Sequence, residues 1–228
     1  MKPTFHTARY LGALGLVMLS LTGCGGSSDD TAAADTSASA STDTNSTTTP
    51  TDVLPHFPDG LHPDGTASAS IAAAFNDRMA SSPSGIGSNS PNVVVCLGDS
   101  ITRAGYPGHL ASMSGKSCVN DGTPGEESGG GASRAAGVLD ANHPAYLCIM
   151  YGSNDIITHR SLDGVIGNLS SIISTARSRS TIPILATIPP MSGSHYGVYA
   201  DQVRQLNNMI RSLAGSSGTA LADVEREF

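Results

Sequence analysis

Ser100, in Gly98-Asp99-Ser100-Ile101-Thr102, directly follows the apolar run Val93-Val94-Val95-Cys96-Leu97. A serine on the turn that leaves a buried strand presents its hydroxyl at the strand's carboxyl end. Backbone N–H groups opening a following helix point to the same place. Such a hydroxyl becomes a nucleophile when a base takes its proton, and acyl transfer also needs donors for the charge that develops on the carbonyl oxygen. Two other segments offer donors. Asn120-Asp121-Gly122-Thr123-Pro124-Gly125-Glu126 is a glycine-rich loop after the short strand candidate Ser117 to Asn120. Tyr151-Gly152-Ser153-Asn154-Asp155 closes the apolar run from Tyr146 and carries a side-chain amide. Taken singly, a Gly-Asp-Ser turn or a glycine-rich loop is a common surface feature without a role. Behind three strands of one sheet, Ser100, Gly125 and Asn154 are expected on one rim. Two Asp-x-x-His pairs compete for the part of base: Asp59-x-x-His62 and Asp140-x-x-His143. The second immediately precedes the run from Tyr146, which puts it at the amino end of that strand. A six-residue strand is about 20 Å long, too far for a proton transfer, so Asp140 and His143 read as surface polar residues.

The elements that must position these groups alternate between two kinds. Besides the runs ending at Leu97 and Tyr151, Ile182 to Ile188 reads as a strand buried on both faces, and Ala220 to Val224 as a weaker one. Helical spacing lies between them. Val165, Leu169, Ile172, Ile173 and Ala176 share one face, as do Val203, Leu206, Ile210 and Leu213. Ile71, Phe75 and Met79 repeat after the Thr66 to Ser70 stretch, which is suited to capping a helix start. This alternation predicts a mostly parallel sheet covered on both faces, with functional groups beyond the carboxyl ends of its strands.

The blocks GDSIT, NDGTPGE and YGSND resemble the first three signature blocks of the SGNH, or GDSL, hydrolases, and the resemblance covers essentially all of residues 53–228. It implies an α/β fold of SGNH-hydrolase type: a flavodoxin-like three-layer sandwich with a mostly parallel five-stranded sheet. It further implies carboxylic ester hydrolysis without cofactor or metal. Ser100 is then the nucleophile, and the Ser100 N–H, the Gly125 N–H and the Asn154 amide form the oxyanion hole. The Ile188-Pro189-Pro190 segment and Asn207 also look like family features, less specifically. One block departs from the pattern. The family's Asp-x-x-His block belongs after the last strand, where Ala222-Asp223-Val224-Glu225-Arg226-Glu227-Phe228 stands, and no histidine follows His195. Either the chain is an inactive truncation or its base lies elsewhere. Asp59-Gly60-Leu61-His62-Pro63-Asp64-Gly65 matches that block together with the helix after it, yet precedes the first block. Circular permutation explains the order. Residues 81–91, rich in Ser, Gly and Pro, reach about 35 Å when extended, enough to join the helix after His62 to the first strand. His62 is then the expected base and Asp59 the carboxylate that orients it.

The beginning of the chain reads as an export signal: Lys2 and Arg9 precede a short apolar run, Leu11 to Leu21. Leu21-Thr22-Gly23-Cys24 resembles the lipobox of bacterial lipoproteins, which implies acylation of Cys24. Gly25 after the cysteine implies the outer membrane, on its periplasmic or surface side. The expected organisation is a signal over residues 1–23 and a lipidated, flexible tether over 24–52. One hydrolase domain follows over 53–228, divided into the 53–80 block and helix, an 81–91 joiner, and the remaining strands and helices from 92. The tether, almost entirely Gly, Ser, Asp, Thr and Ala, spans on the order of 30 Å. Setting aside Lys2 and Arg9 leaves ten basic side chains against 19 acidic, a balance of −9 with His neutral. That balance opposes nonspecific nucleic-acid binding. A monomer is expected, touching the membrane only through its lipid. Cys96, Cys118 and Cys148 fit no zinc spacing, and buried thiols are the expectation for the two inside apolar runs. The expected substrate is a small-molecule or carbohydrate ester with a short acyl group. An acyltransferase on envelope glycans and a non-catalytic polysaccharide-binding module are the competing readings.

Overall fold

In a computed structural model of the protein, residues 54–80 and 85–228 are described. The stretches expected to be an export signal and a tether, with Cys24, and the first part of the expected joiner lie outside the described residues. Five strands, β1 (Ser90–Gly98), β2 (Ser117–Gly122), β3 (Pro144–Met150), β4 (Ile182–Ala186) and β5 (Ala220–Ala222), form one sheet in the order β2-β1-β3-β4-β5. Every neighbouring pair is parallel. The helices are α1 (Gly65–Ala80), α2 (Ser100–Arg103), α3 (Tyr106–Ser114), α4 (Ser128–Asn142), α5 (Ser153–Ile157), α6 (Leu162–Ser178), α7 (Gly193–Tyr196) and α8 (Ala200–Ser217). This is the five-stranded parallel α/β fold expected.

Val94 to Leu97 of β1 and Leu147 to Ile149 of β3 are fully buried. Helices cover both faces of these two central strands, which is why they read as unbroken apolar runs. The chain steps one way from β1 to β2, then back across β1 through β3, β4 and β5. Right-handed crossovers turn that reversal into two layers, with α3 on one face and α4, α6 and α8 on the other. Helix α1 packs against α3 and so completes the first layer. The reversal also makes the carboxyl ends of β1 and β3 a switch point, where departing loops diverge and leave a crevice.

Helix α6 buries the five residues of its apolar stripe, and Ser161 caps its start through Gly164 N–H. Truncating one of those buried Leu or Ile side chains to Ala would cost about 2–5 kcal/mol. In α8 the stripe ends on Ala214 instead of Leu213, which is half-buried. The cap of α1 also differs from the sequence expectation. Thr66 to Ser70 lie inside the helix, while Asp64 Oδ1 accepts from Thr66 and Ala67 N–H at 2.8 and 3.0 Å. An aspartate just ahead of the first turn outcompetes residues that already have helical backbone. Strand β4 ends at Ala186 and β5 at Ala222, each two residues short of the apolar run that predicted it. Residues beyond those points, such as Ile188 and Val224, are buried in loops instead. Strand β1 begins at Ser90, so the 81–91 joiner is shorter by two residues at that end.

Candidate active site

Strand β1 delivers Ser100 to the rim through a tight turn. Asp99 Oδ1 accepts from Ile101 N–H at 2.9 Å and so caps α2, fixing Ser100 as its first residue. Gly98 allows the turn to close, since a Cβ there would collide with Thr102 and lie 2.8 Å from the Met150 carbonyl oxygen. The Ser100 side chain is half-buried, and its Oγ lies 2.9 Å from His62 Nε2.

On the other side of that imidazole, His62 Nδ1 lies 2.6 Å from Asp59 Oδ2. Asp59 Oδ1 accepts from the Leu61 and His62 backbone N–H groups at 2.9 and 2.7 Å, so one carboxylate shapes the loop and orients the ring. Partial burial pushes the Asp59 carboxyl up. The hydrogen bonds from the His62 side chain, then from the His62 and Leu61 backbones, outweigh that and hold it at about 2. A serine hydroxyl, an imidazole and an ionised carboxylate thus stand in one hydrogen-bonded row. Asp140 and His143 lie at the opposite end of the sheet. His143 terminates α4 just before β3, and Asp140 pairs with Arg179.

The loop carrying His62 is held by the segment after β4. Ser192 N–H donates to Gly60 O at 3.0 Å, and Leu54 N–H donates to Ser192 Oγ at 2.9 Å. Buried Asn207 of α8 clamps the start of that segment, accepting from Ile188 N–H and donating to Ile188 O, both at 2.9 Å. Phe57, fully buried, meets Phe228 edge-on with ring centres 4.9 Å apart. Gly60 is the critical contact: its φ is +82°, and a Cβ there would overlap the Ser192 carbonyl oxygen. We predict that Gly60→Ala lowers kcat by about tenfold or more, because displacing His62 by an ångström breaks the row. Steady-state kinetics with melting curves would check it, and unchanged kcat would show that the loop tolerates the shift.

The residues expected to supply the donors lie on neighbouring turns. Thr123 to Glu126 forms a turn closed by Glu126 N–H to Thr123 O at 3.1 Å, with Pro124 and Gly125 at its centre. Gly125 has φ +75°, as a type II turn requires, and its own N–H is not used in closing the turn. Asn154 is the second residue of α5, half-buried, and its Nδ2 donates to Glu126 O at 3.1 Å and to Asp99 Oδ2 at 3.3 Å. The structure therefore brings Ser100, His62 and Asp59 together through direct contacts, and holds Asn154 against Asp99 and Glu126, with Gly125 on the adjoining turn.

Asp99 is 1 % exposed. Burial pushes its carboxyl up to about 7. Asp155 adds to the rise, against the Ile101 hydrogen bond and the neighbouring His62. Between its ordinary value of 3.8 and about 7, the folded protein holds a proton that the unfolded chain has released. Stability due to this group therefore falls as pH rises through that window. An asparagine has no proton to hold. Melting temperatures from pH 4 to 8 should show wild type losing ground to Asp99→Asn as pH rises, and parallel curves would contradict this.

Several supporting residues escaped the sequence reading. Asp155, 2 % exposed, accepts from Ser128 N–H and Oγ at 2.9 and 2.6 Å, capping α4 from the neighbouring element. Nothing in the local sequence marks a cap that arrives from 27 residues away. Arg134 and Ser192 likewise have partners distant in sequence. Cys96 and Cys148 are buried thiols, as their apolar runs predicted, and Cys118 is half-buried. Among the described residues, no group of three or more His, Cys, Asp or Glu is arranged to hold a metal ion.

A family model described as GDSL-like Lipase/Acylhydrolase matches residues 96–228, more than half of the chain. The chain belongs to this family. Membership makes this GDSL hydrolase a carboxylic ester hydrolase. The match includes Ser100, Gly125 and Asn154 but begins after Asp59 and His62. Solved structures share the hydrolase's fold. AlinE4, an SGNH-hydrolase family esterase, aligns with a TM-score of 0.51 at 22% identity, covering 60% of this chain and 79% of its own. A GDSL-like lipase from Bacteroides thetaiotaomicron aligns with a TM-score of 0.52 at 19% identity, covering 68% and 77% respectively. No curated protein sequence matches the hydrolase significantly.

Proposed function

We propose that the protein is a serine esterase in which Ser100, His62 and Asp59 form the catalytic triad, on a circularly permuted chain. The observation that carries this reading is the row from Asp59 Oδ2 through His62 to Ser100 Oγ, with contacts of 2.6 and 2.9 Å. Ser100 Oγ attacks the acyl carbonyl carbon while its proton passes to His62 Nε2. The carbonyl oxygen becomes an oxyanion facing the Ser100 N–H, the Gly125 N–H and the Asn154 amide. Collapse breaks the ester C–O bond, and His62 returns the proton to the leaving alkoxide. Water then attacks the acyl-serine, again losing a proton to His62, and the acid departs as Ser100 regains its hydrogen. Asp59 stays ionised throughout and stabilises the charged imidazole.

Permutation is supported by where α1 packs. It follows the Asp-x-x-His loop, lies against α3, and also touches β5 and the turn that follows it, Val224–Glu227. That is the place the family resemblance assigns to the helix after the last block. The substrate we infer is a short acyl ester, on a small molecule or on a carbohydrate, because the row is open to solvent on the Asp59 side. We further propose export as an outer-membrane lipoprotein acylated on Cys24, whose tether joins the domain at Leu54 on the catalytic rim. A fluorophosphonate probe, followed by peptide mass analysis, tests the central assignment: the adduct is expected on Ser100. Labelling elsewhere, or none in a protein that hydrolyses p-nitrophenyl acetate, would refute it. A series of p-nitrophenyl esters from acetate to palmitate tests the acyl preference, with kcat/KM expected to fall as the chain lengthens.

A further inference from the structure

A partly buried guanidinium lies behind the proposed oxyanion hole. Arg134, on α4, donates from Nε to both Glu126 carboxylate oxygens at 2.9 Å and from one terminal nitrogen to Asp121 Oδ2 at 2.6 Å. Its other terminal nitrogen shares its two hydrogens among acceptors at 2.8 Å (Asp121 O and Glu126 Oε2), 3.0 Å (Tyr151 Oη) and 3.5 Å (Gly98 O). The Tyr151 hydroxyl in turn donates to Glu126 Oε2 at 2.6 Å. Burial raises the Tyr151 pKa, so that hydroxyl keeps its proton.

These partners sit at the ends of three strands. Gly98 ends β1 two residues before Ser100, and Asp121 is the next-to-last residue of β2, four residues before Gly125. Tyr151 follows β3 three residues ahead of Asn154, and Glu126 O itself receives the Asn154 amide. Each proposed oxyanion donor therefore has a near chain neighbour bound to the same planar cation. Helix α4 is built to bring that cation close. A Cβ on Gly131 would lie 2.5 Å from the Tyr151 ring, and one on Gly130 would lie 2.8 Å from Glu126 Cγ. Consecutive glycines weaken a helix relative to alanine, and here they permit the approach.

We propose that Arg134 is a positioning residue that sets the spacing of the oxyanion donors, acting through Glu126 and Tyr151 on Gly125 and Asn154. The proposal rests on the oxyanion assignment above. Glu126 and Asp121 would repel each other without a cation between them, so Arg134→Lys is the primary variant: it keeps the charge but loses the planar fork. Tyr151→Phe is the second, removing one hydroxyl while leaving both charges paired. For p-nitrophenyl acetate, Asn154→Ala is expected to lower kcat by about a hundredfold or more. Arg134→Lys should lower kcat by about tenfold to a hundredfold with KM nearly unchanged, since donors out of place lose only interactions made in the transition state. Tyr151→Phe should act in the same direction by a smaller factor. In the Asn154→Ala background, Arg134→Lys should cost less than it does in wild type, because the part of its effect that runs through Asn154 is gone and only the part through Gly125 remains. A merely structural role predicts a lower melting temperature with kcat unchanged, or losses that multiply in the double variant. Either result overturns the proposal. A costly Asn154→Ala beside a silent Arg134→Lys overturns it alone, whereas a silent Asn154→Ala overturns the oxyanion assignment with it.

Discussion

Alanine in place of His62 is expected to lower kcat for ester hydrolysis by about four to six orders of magnitude, and alanine at Ser100 by a similar factor. The imidazole lies 2.9 Å from the hydroxyl it would deprotonate. Without it the neutral serine hydroxyl is a poor nucleophile, and no proton can be handed to the leaving group. Groups that act as one unit do not add, so the double variant should be scarcely slower than either single one. The control is His143→Ala. That residue belongs to the other Asp-x-x-His pair but caps the end of α4 at the amino edge of the sheet, so hydrolysis should be retained. Full activity in His62→Ala would mean that another base serves Ser100, and the explanation by permuted block order would fall with it.

Asparagine in place of Asp59 is expected to lower kcat by about ten-thousandfold while leaving the fold intact. The carboxylate has two tasks, one per oxygen. Oδ1 receives the Leu61 and His62 backbone N–H groups, and an asparagine carbonyl oxygen performs that task equally well. Oδ2 receives His62 Nδ1, where asparagine presents an NH2 group instead. The ring must then accept at Nδ1 and carry its proton on Nε2, facing Ser100 as a donor and not a base. The pair is too exposed, at 37% and 50% of its side-chain surfaces, to contribute much stability by itself. The loss should therefore appear in kcat and hardly in the melting temperature. Equal falls in both would point to a structural role for Asp59.

Much of this organisation was legible in the chain because it is local. The apolar runs at Val93–Leu97 and Tyr146–Tyr151 mark the two central strands, since a strand covered on both faces leaves no polar position. The Gly-Asp-Ser turn is visible for the same reason: it begins where such a run stops. The 3.6-residue stripe of α6 was correct at all five positions. Strand ends were less legible, because Ile188 and Val224 are buried without being paired, and burial alone writes the same residue types. The cap of α1 fell to Asp64, a choice among several eligible residues that only backbone conformation settles.

By itself the sequence determined the kinds of group available, their order, the alternation that requires a parallel α/β sheet, and the exclusion of Asp140 and His143 by strand length. Tertiary structure alone decided which groups meet. Asp59 and His62 are neighbours in any loop of this spacing, but the approach of His62 to Ser100 crosses 38 residues. It depends on Gly60 docking against Ser192, on Asn207 holding Ile188, and on α1 packing beside α3. The Arg134 cluster is likewise unreadable in the chain, since its partners span Gly98 to Tyr151. Hydrogen bonds need positions set to a fraction of an ångström, and that precision comes from packed elements far apart in sequence.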